Sequence, residues 1–202
     1  MSRTHIEQHA LKIIRKCGGQ LRMTEAVEQG IARRTLYRLV DHGDLERVTR
    51  GVYRLSTLPE MSNPDLVTVS LRAPKAVICL VSALSFHELT TQVPHAVWIA
   101  IPRDSRPPRV DYPPITWVEF SGVAYEAGIE LHFLDQTEVR VYGAEKSIAD
   151  SFKYRNKIGM DVVLEALNLY MHRDKRDIDS LLHFAEICRV AAVMKPYIEA
   201  LA

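Results

Sequence analysis

From Thr24 to Leu55 the chain reads TEAVEQGIARRTLYRLVDHGDLERVTRGVYRL, and this stretch decides how its amino-terminal part folds. Thr24 precedes an acidic first turn with Glu25 and Glu28, a composition that suits the start of a short helix, where side-chain oxygens cap free amides and acids complement the dipole. Gly30 supplies the left-handed backbone on which helices often stop. A second helix follows almost at once, from about Ala32 to Asp41. Ile31, Leu36, Leu39 and Val40 recur at helical spacing and are expected to face a core. Arg33, Arg34, Tyr37, Arg38 and Asp41 fall on the opposite face. Gly43 ends this helix. Asp44–Arg47 and Val52–Leu55 then alternate as strands around a tip of Thr49, Arg50 and Gly51, and Arg47, Arg50 and Arg54 put positive charge on the hairpin.

Helix, tight turn, basic helix and basic hairpin, in that order, predict a winged helix-turn-helix. An arginine-rich start suits a helix whose amino end enters a major groove, because a guanidinium can bind a guanine edge at two points or hold a phosphate. Arg33, Arg34 and Arg38 are the candidates for base or phosphate contact, with Thr35 and Tyr37 as supporting polar contacts. Arg47 and Arg50 are the candidates on the wing, which typically touches backbone or minor groove. The competing readings are a helical domain with a solvated basic face, and a winged domain used to bind protein.

The whole chain of 202 residues carries a formal charge of only +1. That charge is unevenly placed: residues 1–55 hold eleven Lys or Arg against six Asp or Glu, and the remainder fifteen against nineteen. The split predicts a basic DNA-contacting domain over 1–57 joined to a different domain over 65–202. Ser56–Pro64, with two prolines, reads as the linker. Ahead of the quoted segment, Thr4–Lys16 is predicted to be a helix with Ile6, Ala10, Ile13 and Ile14 on its apolar stripe, ended at Cys17–Gly18–Gly19.

Beyond the linker, Asp65–Arg72 and Ser82–Leu89 read as helices. Ala76–Val81 is a short apolar run, while Ala96–Ile101, Ile115–Phe120, Ile129–Phe133 and Val139–Tyr142 read as short strands, with a turn near Asp135–Gln136. Pro102–Pro114 is a proline- and arginine-rich loop. Its Arg103, Arg106 and Arg109 are either plain solvated charges or phosphate contacts. Ala144–Arg155, Asp161–His172, Asp177–Val190 and Val193–Leu201 show helical spacing. The expected class is therefore α+β: an amino-terminal winged domain, then a mixed α/β domain ending in helices. Lys146 and Asp150 are spaced to pair along a helix surface. The polar stretch Tyr154–Lys157 is either an ordinary helix end, where cations suit the dipole, or a second positive surface for DNA or RNA.

No chemistry of catalysis stands out. His87–Glu88 lacks a second histidine at ligand spacing, and no phosphate-binding loop, dinucleotide turn or nucleophile elbow occurs. A Gly–Ser dipeptide, which opens a nucleotidyltransferase metal motif, is also missing. No enzyme, cofactor or metal is expected. Cys17, Cys79 and Cys188 form no C-x-x-C pair and are expected as free buried thiols. The polar start and the lack of a long apolar run predict a cytoplasmic protein with no membrane partner.

Two blocks, ARRTLYRLVDHGDLERVTRGVYRL (32–55) and VYGAEKSIADSFKYRNKIGMDVVLEAL (141–167), with VWIAIPRDSRPP (97–108) between them, resemble the AbiEi-type antitoxins of type IV toxin–antitoxin systems. The resemblance implies a transcriptional repressor that binds repeats in its own promoter through the winged domain, and inverted repeats are the expected form because operator symmetry commonly mirrors paired protein. It also implies a carboxyl-terminal domain that counters a nucleotidyltransferase-like toxin without a stable complex. A stand-alone regulator with no toxin partner is the alternative.

Overall fold

The computed structural model describes residues 5–201, so the expected helix start at Thr4 lies outside the described residues. The chain divides into two compact units. One comprises the residues up to Pro64 together with Leu134–Thr137. The other comprises Asp65–Phe133 and the residues from Glu138 onward.

The first unit opens with α1 (His5–Lys16), β1 (Gln20–Arg22) and α2 (Met23–Glu28), then α3 (Arg33–Asp41), β2 (Leu45–Thr49) and β3 (Val52–Leu55). The buried stripe of α1 is Glu7, Ala10, Leu11 and Ile14. Ile6, expected inside, is 62% exposed. The stripe is rotated because Glu7 turns inward to meet Arg38 of α3, whose Nε lies 3.4 Å from the carboxylate. Ala10, Leu11 and Ile14 pack with Leu21, Ala26, Ile31, Leu36, Leu39, Leu45, Tyr53 and Leu55 into one core.

α2 begins two residues earlier than a cap at Thr24 implies. Its cap is the backbone of Arg22, whose amide donates to the Glu25 carboxylate at 2.8 Å, so Thr24 sits inside the helix rather than at its start. Gly30 closes it at φ +81°, while the Ile31 amide reaches back to the Ala26 carbonyl at 2.8 Å, a paired C-terminal closure that needs a left-handed residue.

Three strands form an antiparallel sheet in the order β1-β3-β2. β1 has no counterpart among the strands predicted from the sequence. Gly19, just before it, also holds a positive φ, and a Cβ there would lie 2.8 Å from Leu58. With β1 on one side and β2 on the other, β3 is central and all four of its residues are buried. This explains a further departure: Arg54, expected to add charge to the hairpin, is buried. Its guanidinium donates to Glu46 at 2.6 Å and to the Pro59 carbonyl, which fastens the strand to the linker and neutralises the charge.

The second unit contains α4 (Pro64–Arg72), β4 (Val77–Ile78), α5 (Leu80–Phe86), β5 (Val97–Pro102), β6 (Ile115–Phe120), α6 (Val123–Glu126), β7 (Ile129–Leu134) and β8 (Thr137–Tyr142). The helices α7 (Ala144–Lys153), α8 (Arg155–Ile158), α9 (Met160–Met171), α10 (Ile178–Ile187) and α11 (Ala191–Leu201) follow. Its mixed sheet runs β6-β5-β4-β8-β7. β4 pairs antiparallel with β5 (Val77 opposite Ala100) and parallel with β8, and β5 pairs parallel with β6 from Val97 to Pro102. The expected run Ala76–Val81 is therefore split into a two-residue central strand and the first turn of α5. The class is mixed α and β throughout, and among the described residues no helix is long and apolar enough to cross a membrane.

α7 is the centre of this unit. Residues 146–152 are all buried, including Lys146 and Asp150. The pair expected on a helix surface lies instead in the interior, with Lys146 Nζ 2.5 Å from Asp150 Oδ2 and both side chains 0% exposed. The ammonium also stands over the rings of Tyr142 and Phe120, 4.1 and 4.7 Å from their centroids. Cys188 Sγ donates to the other carboxylate oxygen at 3.1 Å. Burial pushes the Asp150 carboxyl above its ordinary range against the pull of Lys146, and burial pushes the Cys188 thiol up to about 12. Cys79 is likewise buried, and burial raises its thiol pKa, whereas Cys17, expected inside, is exposed at the end of α1.

His87, after α5, has one ring nitrogen, Nε2, 2.8 Å from the Tyr142 carbonyl, and burial lowers its pKa below the ordinary histidine value. A histidine held neutral in the fold contributes stability that is present above the unfolded-state value of about 6.5 and lost as pH falls through the lower folded value. The urea midpoint of the native chain is thus expected to fall between pH 7.5 and pH 5.5 more than that of His87→Gln. Identical acid sensitivity in the two proteins would contradict this assignment.

Candidate nucleic-acid interface

α3 is amphipathic in the strict sense that its two faces have different fates. Leu36 and Leu39 are fully buried, and the Ile31 side chain just before the helix packs with them. Arg33, Arg34, Tyr37 and Asp41 are exposed on the other side, with Tyr37 at 52%. The helix starts from an extended Ala32 with no side-chain cap and no acid in its first turn. Its first amides and the guanidinium groups of Arg33 and Arg34 therefore sit together at a positive helix end, which is where an anion is favoured.

The hairpin continues this face. Arg47 is paired across the strands with Tyr53. Cross-strand partners lie on one side of a sheet, and the Tyr53 ring meets Tyr37 of α3 edge-on at 6.5 Å. Burial, with Tyr37 adding to it, raises the Tyr53 phenol above its ordinary value. This tyrosine pair sets the β2–β3 hairpin beside α3 and brings Arg47 to the side on which Tyr37 is exposed. Arg47 is solvent-facing, its Nε 3.4 Å from the Thr49 carbonyl. Arg50 is exposed at the tip, next to Gly51 at φ +80°.

Two of the candidate residues stand differently from expectation. Thr35 is only 3% exposed and faces the core with Leu36, because the helical turn that exposes Arg34 and Tyr37 rotates the residue between them inward. It has no surface to offer a groove. Thr35→Ala is expected to change DNA affinity by less than about twofold while lowering stability by about 1 kcal/mol, as an ordinary buried truncation does. A tenfold loss of affinity in a competition titration would overturn that placement. Arg38 is half-exposed, and its Nε is near enough to buried Glu7 for an ion pair, though not aligned as a hydrogen bond. It ties α3 to α1, so its removal would leave a buried carboxylate short of a partner. Neither fact was legible in the sequence, because Glu7 reads as an ordinary polar residue of α1.

Elsewhere, Arg103, Arg106 and Arg109 are all exposed, in the second unit. Among the described residues no group of three or more His, Cys, Asp or Glu is placed to hold a metal ion.

The architecture from α1 to β3 is thus one small core presenting one basic, aromatic-braced face, and a known family matches this segment. Residues 10–56 match the family of AbiEi antitoxin transcriptional regulators. The match begins in the buried stripe of α1 and ends just past β3, so the matched segment includes every candidate residue from Arg33 to Arg50. The family matched over this segment is one of transcriptional regulators and antitoxins. No curated protein matches the chain.

Proposed function

We propose that the first unit is a winged helix-turn-helix that reads duplex DNA, with α3 as the recognition helix and β2–β3 as the wing. The observation that carries this reading is the exposed face formed by Arg33, Arg34 and Tyr37 and extended by Arg47, on a segment that matches a regulator family. The amino end of α3 enters the major groove, Arg33 and Arg34 bind guanine edges or phosphates, and Arg47 and Arg50 hold the flanking backbone. Arg38 serves the site from behind by fixing the pitch of α3 against α1. Tyr37 is set by its contact with Tyr53 and offers its hydroxyl to backbone or base.

The chain then acts as a transcriptional repressor of its own operon, binding inverted repeats, while the domain from residue 65 onward supplies the antitoxin function against a nucleotidyltransferase-like toxin without holding it in a stable complex. The supports for this larger reading are the family match and the resemblance of residues 97–108 and 141–167 to the same antitoxins. Coexpression tests it: the full chain is expected to relieve growth arrest by a toxin encoded next to it, and residues 1–64 alone to repress the promoter without relieving arrest. Relief by residues 1–64 alone would refute the division of labour.

A further inference from the structure

In the second unit four cationic side chains, Arg103, Lys153, Arg155 and Arg189, line a single cleft of about 750 Å³, and no carboxylate lines it. None of the four is in an ion pair among the described residues. Arg155 donates to the Phe152 carbonyl at 2.8 Å, and Lys153 Nζ lies 5.4 Å from the Phe120 ring centroid. The ordinary account of cations here is the helix dipole, since α7 ends at Lys153 and α10 ends at Ile187. That account falls short in magnitude. Two helix carboxyl ends amount to about one negative charge together, against four full positive charges. A surplus of about three is left facing one concavity.

Arg189 adds an independent observation. It holds φ +60° at the end of α10, where its amide reaches Glu186 and the next amide, of Val190, reaches Ala185. Glycine is the residue that takes this position without steric cost. Arginine there carries strain, and this residue lines the charged cleft. Strain kept at a concave charged site is commonly tied to a ligand.

We propose that this cleft binds the polyphosphate of a nucleotide. Its size is within the range of small-ligand sites. Its cations converge on one hollow, whereas a nucleic-acid backbone calls for a stripe of charge. Val123 and Val190 give the hollow an apolar wall for a base. The guanidinium groups grip phosphate oxygens in pairs and Lys153 acts as a point charge.

Calorimetric titration of the full chain with ATP tests this, in the native protein and in the variants Arg33→Ala/Arg34→Ala, Arg103→Ala and Arg189→Gly. Saturable binding is expected. It should be unchanged within about twofold in Arg33→Ala/Arg34→Ala and weakened about tenfold or more in each of the other two, as removal of one charged donor to phosphate implies. Arg189→Gly is also expected to melt about 2–4 °C higher than the native chain, because glycine removes the strain. A purely structural Arg189 would not give weaker binding with higher stability. The proposal is overturned by the absence of saturable binding up to about 1 mM ATP, by affinities that Arg103→Ala and Arg189→Gly leave unchanged, or by a cleft that an unrelated DNA duplex occupies and ATP does not.

Discussion

Exchanging Arg33 and Arg34 together for alanine is expected to weaken binding to DNA from the chain's own upstream region by about 2–4 kcal/mol, or about 30- to 1,000-fold. Both side chains are exposed on the first turn of α3. Neither is in an ion pair among the described residues or packs in the core, so the fold loses little and the melting temperature should hold. Affinity and folding are thereby separated, which an Arg38 variant could not do because Arg38 also steadies Glu7. If the two arginines bind phosphates, the slope of log affinity against log salt falls by about one for each phosphate left without its cation. If they read guanines, the weakening concentrates on particular base pairs and the slope changes less. An undiminished affinity with normal folding would remove α3 from the interface and leave the first unit as a protein-binding module.

The second large effect is expected in the interior of α7. Asp150→Ala leaves the Lys146 ammonium buried without its carboxylate, and removing one member of a buried pair costs about 3–5 kcal/mol. The aromatic faces of Tyr142 and Phe120 soften this but do not replace a counter-charge. The double variant Lys146→Met/Asp150→Leu, which removes both charges and keeps apolar volume, is expected to recover most of that stability. Urea unfolding of the three proteins measures it directly. A single variant within about 1 kcal/mol of native would mean that water reaches the pair.

The same pair marks where the sequence stops being legible. Positions 146 and 150 satisfy the helix-pairing rule whether the helix is exposed or buried. Nothing in α7 itself decides between the two, since Glu145, Lys146, Ser147, Asp150, Ser151 and Lys153 are all charged or carry hydroxyls; the burial comes from the elements packed around the helix. By contrast, α3 is plain in the sequence, because its leucines and arginines separate cleanly at helical spacing and Gly30 and Gly43 punctuate both ends. Ile115–Phe120 is legible residue for residue, as a β-branched and aromatic run between Pro113–Pro114 and Ser121–Gly122. β1 is not, because three residues make a strand here only through the company of β3. Arg54 and Thr35 depart from expectation for a common reason: side-chain type says what a residue can contact, while the central position of β3 and the rotation of α3 decide what it does contact. The basic stretch around Arg155 has two readings in the sequence. Its meeting with Arg103 and Arg189, distant along the chain, needs the fold.

The most direct test of the central proposal is methylation protection on the chain's own upstream DNA. Guanine N7 atoms in the major groove are expected to be protected in two symmetric clusters about one or more helical turns apart, with protection abolished in Arg33→Ala/Arg34→Ala while that protein stays folded. Unprotected guanines under saturating native protein, or protection that persists in the double variant, would contradict α3 as the reading helix.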